Sequence, residues 1–297
     1  MVALQEAYRQ CERLARDHYE NFPVASWLLP RRMRPHIAAI YAFARGADDV
    51  ADEGDRPAAE RLRQLDAWGA HLDTAAAGGP LPQDSHEPVF TALAATIRSC
   101  RLPVTLLEDL LSAFRQDVTT TRYATWTEVI DYCRRSANPV GRLVLRVAGY
   151  DDARLDERSD AICTALQLTN FWQDLERDYL KGRIYVPREL TTPRGADEAD
   201  LARRRLTPAW REALRDAAAR TRALFVAGRP LCGAVRGRLR WELRATWLGG
   251  ARILEKLERA EYDVFAERPA LRAADAPVLL WRMARWARTV DPRPSGR

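Results

Sequence analysis

Apolar side chains return every three or four residues over most of the chain, as in Leu4, Tyr8, Cys11 and Leu14, or Ile37, Ile40, Tyr41 and Ala44. That interval lines one face of an α-helix. The every-second-residue alternation of a half-buried strand is not sustained anywhere. Helix-stopping residues cut the pattern at Pro23, Pro30 to Pro35, Gly54 to Pro57, Gly78 to Pro88, Pro103, Gly149 to Asp152, Pro187 to Gly195 and Pro208. Between these stops the sequence predicts about eight or nine helices. The joints are mostly short, so the helices are expected in one compact bundle, a single all-α domain over residues 1–297.

The last periodic segment, PVLLWRMARWARTV from Pro277 to Val290, is apolar and aromatic on one side and basic on the other. Such a helix either packs Trp281 and Trp286 on the bundle or lies on an anionic bilayer.

Composition narrows the picture. With 297 residues, 47% of them hydrophobic and 30% charged, the chain is long enough to bury a sizeable core and is far from the disordered regime. The net charge of +6 is carried almost wholly by arginine, since Lys181 and Lys256 are the only lysines. Arginine forks suit phosphate and carboxylate groups. The basic surplus is spread along the chain, and the DEAD string at Asp197 to Asp200 has no phosphate-binding loop with it, so no nucleic-acid partner is expected. Five scattered cysteines without a C-x-x-C pair suggest neither a disulfide framework nor a zinc site, and the four histidines lack ligand spacing. The start of the chain lacks a signal peptide's apolar core, and no stretch approaches the roughly 18 uncharged apolar residues of a membrane span. From these features a cytoplasmic protein is expected, with any lipid contact peripheral, at the inner face of the membrane.

Two acidic constellations carry the chemistry. In YAFARGADDVADEGD, Asp48 and Asp52 are four residues apart and leave one helical face a turn apart, with Asp49, Glu53 and Asp55 adding charge. Gly54 and Pro57 end the helix there, where its dipole disfavours each anion by roughly 0.3–1 kcal/mol. Like charges at this spacing cost about a few tenths of a kcal/mol more. A local rule broken twice marks a functional site. Mg²⁺ relieves the conflict, because it takes carboxylate oxygens and water and usually brings a substrate phosphate. Taken alone, this cluster also reads as a solvated acidic helix end.

In QLTNFWQDLERDYLKGRIYVP, Asn170, Asp174 and Asp178 again recur every four residues before a stop at Gly182. Leu168, Phe171, Trp172 and Leu175 supply the buried side of this helix. Two acidic faces in a bundle are able to point at each other across a cavity and share cations. Arg45 before the first motif, and Lys181 with Arg183 after the second, either answer the charge of a departing diphosphate or balance the aspartates.

The chain resembles the squalene and phytoene synthases, the head-to-head prenyl synthases, from about His18 to Glu261. The likeness is carried by D-x-x-x-D in both motifs, with Tyr41 and Arg45 before the first and Asn170 before the second. Within the family it is nearest to the branch that makes hydroxysqualene in bacterial hopanoid biosynthesis, through ENFPVASWLLPRRMRPHIAAIYAFARGADDVADEGD and NFWQDLERDYLKGRIYVP. The resemblance implies a single isoprenoid synthase domain, a helical bundle with a central apolar cavity. It implies presqualene diphosphate as substrate, made from two farnesyl diphosphates by a sister enzyme working beside this one. Several Mg²⁺ ions held by Asp48, Asp52, Asn170, Asp174 and Asp178 would draw off the diphosphate. Asn21, Tyr41, Arg45, Gln167 and Arg183 would bind substrate, and Tyr132 would stand with the aspartates as catalytic. Water would capture the rearranged cation, and no NADPH is expected.

Phe22, Val24, Leu143, Leu166 and Phe171 are candidates for an apolar tunnel, each of which also reads as ordinary core. Three departures from the broader family stand out: Asn21 in place of a serine, Leu254 in place of a tyrosine, and Ser136, Ala137, Asn138 and Pro139 where relatives read V-A-G. The proline is expected to kink its helix beside the cavity, and the change at Asn138 and Pro139 to admit water. Together these departures weigh against phytoene synthase activity. Two alternatives remain: condensation of farnesyl diphosphates to presqualene diphosphate or another head-to-head product, and a non-catalytic binding or assembly protein. Retention of Asp48, Asp52, Asp174 and Asp178 weighs against the second.

Overall fold

A computed structural model of the chain describes residues 3–17, 29–52 and 56–286. Asn21, Phe22, Val24, His18, Glu53, Asp55 and the end of the last predicted segment, residues 287–290, lie outside the described residues. Regular structure among the described residues is helical, apart from an isolated bridge between Arg122 and Ile184. The chain forms two compact units: the first from residues up to Thr120 with Arg134–Asp160 and Gly237–Glu242, the second from Thr121–Cys133, Ala161–Arg236 and the residues from Leu243 on.

The first unit contains α1 (Leu4–Asp17), α2 (Arg34–Asp52), α3 (Ala58–Ala77), α4 (Glu87–Cys100), α5 (Val104–Thr119) and α7 (Asn138–Val147). Its axis is α2, which packs against all five of the others. Ile37, Ile40, Phe43, Ala47 and Ala51 recur at helical spacing on α2 and are buried. Phe43, Trp68 from α3 and Phe90 from α4 meet with centroid separations of 4.9–6.2 Å. Burying each such ring contributes roughly 1.5–3 kcal/mol. Leu143, a tunnel candidate, lies within this same apolar core. The histidines here are accounted for locally: His36 meets Tyr8 and Thr96, His71 pairs with Asp84, and His86 sits edge-on to Trp68.

The second unit draws on α6 (Trp126–Ser136) as far as Cys133, α8 (Ala153–Gln173) from Ala161, α9 (Leu175–Leu180), α10 (Arg188–Thr191), α11 (Glu198–Ala202), α12 (Pro208–Gly228), α13 (Leu231–Ala234), α14 (Gly237–Arg259) from Leu243, and α15 (Ala276–Ala284). Three of its buried indoles find acceptors: Trp172 donates to Thr221 Oγ1 at 2.9 Å, Trp210 to Asp197 O at 2.8 Å and Trp247 to Phe225 O at 2.8 Å. The aspartate that opens the DEAD string caps α11 by accepting from Ala199 N, which is a structural use.

The predicted stops are in place. Pro57 and Pro103 cap α3 and α5, Pro208 opens α12, and Gly78 takes the left-handed conformation that closes α3. The described residues form fifteen α-helices, more than the predicted eight or nine; four of the extra ones, α9, α10, α11 and α13, are four to six residues long, too short to express a period. Pro139 does not kink a helix. It lies in the first turn of α7, after a break at Ala137, where its missing N–H is one that a first turn leaves unused. The last segment divides between its two readings: Trp286 is buried against Trp247, whereas Trp281 is 52% and Leu280 69% exposed.

Candidate active site

On α2, the face away from the apolar core carries Tyr41, Arg45, Asp48 and Asp52, all half-buried. Arg45 Nη2 lies 2.6 Å from Asp49 Oδ1, and Nη1 3.4 Å from Asp48 Oδ2. Arg61 reaches from α3 to donate to Ala51 O at 2.6 Å, placing a second cation at the helix terminus. Together the two guanidiniums offset the helix-end and like-charge penalties that the sequence exposes. Burial pushes the Tyr41 phenol above its ordinary pKa, with Arg45 pulling the other way, so the ring keeps its proton and stays a donor.

In the second unit, Gln167, Asn170, Asp174 and Asp178 form a half-buried stripe opposite Leu168, Phe171, Trp172 and Leu175, which are buried. Asp174 N donates to Asn170 O, and Asp178 N to Asp174 O, both at 2.8 Å. The helical ladder therefore carries the three oxygen-bearing side chains along one line, through the joint at Asp174 where α8 gives way to α9. Gly182, with φ of 80°, closes α9. Its N–H donates to Tyr179 O, and the Arg183 N–H to Asp178 O at 2.8 Å, so the turn fixes Arg183 beside the last aspartate.

The chain beyond that turn is tied to residues 121–124. Ile184 N donates to Thr121 O, Arg188 N to Tyr123 O and Glu189 N to Ala124 O, each at 3.0 Å. The Arg122 guanidinium donates to Gly182 O at 2.6 Å and pairs with Glu198. These ties bring Tyr185 against Tyr123, Tyr132 and Phe171. Phe171 and Tyr185 stack at 3.7 Å with planes 3° apart, and Tyr132 is 6.0 Å from Phe171. All four rings are buried. Tyr132 thus lies in an aromatic cluster next to the Asn170 stripe, and the faces of such rings attract cations.

Three residues of this neighbourhood are not singled out by the sequence. Tyr123 and Tyr185 join the cluster through loop pairing that no local period reports. Arg268 comes from the coil after α14 and forks Asp174, with Nε to Oδ1 at 2.5 Å and Nη2 to Oδ2 at 3.0 Å. The donors of both motifs are hard oxygens, the type that suits Mg²⁺. Among the described residues, no three His, Cys, Asp or Glu side chains gather into one metal cage.

Sequence comparison agrees with these motifs. The squalene/phytoene synthase pattern matches residues 15–275, and the chain belongs to that family of prenyl-diphosphate-processing synthases. Over 255 residues it is 38% identical to the hydroxysqualene synthase of Rhodopseudomonas palustris, covering 85% of this chain and 84% of that one. The hydroxysqualene synthase of Zymomonas mobilis is 40% identical over 209 residues, 69% of this chain and 67% of its own. The crystal structure of squalene synthase HpnC from Alicyclobacillus acidocaldarius superposes with a TM-score of 0.80 at 42% identity, over 87% of this chain and 95% of that one. Among the described residues no helix is long and apolar enough to cross a membrane.

Proposed function

We propose that the protein is a hydroxysqualene synthase, converting presqualene diphosphate and water to hydroxysqualene and diphosphate, with both aspartate motifs serving the diphosphate. The observation that carries the reading is the pair of half-buried helix faces bearing oxygen donors at four-residue spacing, one of them beside a cluster of buried aromatic rings. The names of relatives 38% and 40% identical support the choice of product.

Asp48, Asp52, Asn170, Asp174 and Asp178 would hold Mg²⁺, which as a Lewis acid supports the charge that collects on the departing diphosphate. Arg45 and Arg183 would each add positive charge to answer that of the diphosphate, and Tyr41, Gln167 and Asn21 would supply hydrogen bonds that orient the substrate. The carbon–oxygen bond breaks with its electron pair leaving on diphosphate. Tyr132, Phe171 and Tyr185 present ring faces to the cyclopropylcarbinyl cation left behind. Water adds to the rearranged cation and sheds a proton, which completes the balance without a reductant, so NADPH is not required. The sister enzyme that makes presqualene diphosphate is the expected supplier. Leu280 and Trp281 provide a peripheral contact with lipid, where a water-insoluble product has somewhere to go.

Purified protein given presqualene diphosphate and Mg²⁺ without NADPH is expected to form hydroxysqualene, read by mass spectrometry. Unreacted substrate, or squalene alone, overturns the assignment. The 42% identity to a protein named squalene synthase keeps a second reading, head-to-head condensation of farnesyl diphosphate. Product from farnesyl diphosphate alone would select it.

A further inference from the structure

Arg268 meets Asp174 in a geometry unlike that of an ordinary surface pair. Both carboxylate oxygens are engaged by the two arms of one guanidinium, and the Asp174 side chain is only 13% exposed. The backbone around the arginine is pinned on both sides. Gln173, the residue before the aspartate, donates its amide to Pro269 O, and Lys256 Nζ donates to Ala270 O at 2.6 Å. Upstream, Arg204 donates to Phe265 O at 3.4 Å. Downstream, Asp275 is held by Lys256 and Arg252 on α14. The backbone that carries Arg268 is therefore held by the fold beside Asp174, and the planar guanidinium loses less freedom per hydrogen bond than an ammonium would.

A carboxylate gripped by a planar guanidinium has its best lone-pair directions occupied. Mg²⁺ demands short oxygen contacts in near-octahedral geometry, and a guanidinium on the same carboxylate repels it. We propose that Arg268 is a positioning residue that stands in for the cation at Asp174, and that it must be displaced before this carboxylate can take a metal ion. The inference rests on the metal role proposed above for Asp174. Its consequence is an order of events: the divalent ion alone binds poorly at this motif, and binds well when it arrives with diphosphate, whose charge offsets the displaced arginine. The pairing also keeps Asp174 compensated and correctly aimed while no ligand is present.

The test uses Mn²⁺ as the probe, with free Mn²⁺ read by electron paramagnetic resonance in the full-length protein, with and without inorganic diphosphate. Arg268→Gln is expected to bind Mn²⁺ alone about tenfold more tightly than the unaltered protein, the scale of one charge-assisted hydrogen bond. Adding Asp174→Asn should cancel the gain, which locates it at this carboxylate. Loss of a merely structural contact would weaken metal binding, not strengthen it. Arg268→Lys keeps the charge without the fork and should give a smaller gain in the same direction; it is the variant to read if Arg268→Gln does not fold. Equal or weaker Mn²⁺ binding in the folded variant overturns the inference while leaving the metal role standing. No Mn²⁺ uptake by the unaltered protein even with diphosphate removes the metal role, and the inference with it.

Discussion

Replacing Gly46 with alanine should destabilise the first unit even though alanine is the better helix former. Gly46 lies inside α2 between Arg45 and Ala47, and a Cβ added there would fall 2.7 Å from Trp68 Cη2 and 2.8 Å from Cζ2. Two effects oppose each other. Exchanging glycine for alanine in a helix interior gains about 1 kcal/mol, whereas overpacking a tight core costs typically about 1–3 kcal/mol. The approach is well inside the roughly 3.5–4.0 Å at which carbon atoms are comfortable, and the ring has little room to yield. Trp68 is 4% exposed and confined by Phe90 at 4.9 Å and His86 at 4.7 Å. The upper end of the overpacking range therefore applies, leaving a net loss of about 2 kcal/mol. For a chain of this size that lowers the melting temperature by about 3 °C. Scanning calorimetry on Gly46→Ala, Trp68→Phe and the double variant measures it. The smaller ring should relieve the clash, so the double variant should be more stable than the sum of the single effects by at least about 1 kcal/mol. An unchanged or raised melting temperature in Gly46→Ala, or strict additivity in the cycle, would refute the steric argument.

Other expectations concern chemistry, charge and surface. Asp52→Asn and Asp178→Asn should each lower turnover of presqualene diphosphate by about a hundredfold or more with the melting temperature preserved, because each would remove a carboxylate proposed to hold the Mg²⁺ that supports the leaving group; a loss confined to one of them would show that the motifs do not share the task. Hydrogen bonds from Lys256, the Arg272 backbone and Arg252 hold the Asp275 carboxyl well below its usual range. A depressed folded-state pKa stabilises the fold at pH above the unfolded value of about 3.9 and loses that contribution as pH falls toward the folded value. Urea midpoints for the protein and Asp275→Asn should therefore differ fully at pH 6 and converge under acid, and a gap that stays constant down to pH 2 contradicts the linkage. Leu280→Ser with Trp281→Ser should abolish co-sedimentation with anionic liposomes without altering the melting temperature, since both side chains are exposed; equal sedimentation of protein and variant removes the lipid contact.

How much of this was legible beforehand depended on distance along the chain. Helix ends could be read from Pro57, Pro103, Gly78 and Gly182 because each acts through backbone geometry within a residue or two. Pro139 shows the limit of such reading: the kink expected there is absent, because whether a proline bends a helix or begins one depends on where the preceding helix ends. Trp281 and Trp286 share one apolar pattern and have opposite fates, because only Trp286 meets Trp247 and the cations of Arg229 and Arg244.

The helical class, the family likeness and the four-residue spacing of Asp48 with Asp52 and of Asn170 with Asp174 and Asp178 are legible in the residue order. Those are properties of a repeating backbone, settled by contacts that close within one turn. Tertiary structure alone decided that Asp174 would be gripped by an arginine 94 residues away, and that Tyr123, Tyr132, Phe171 and Tyr185 would gather into one cluster. Contacts of that span form only when the whole chain collapses, and no local period in the sequence reports which side chains will meet.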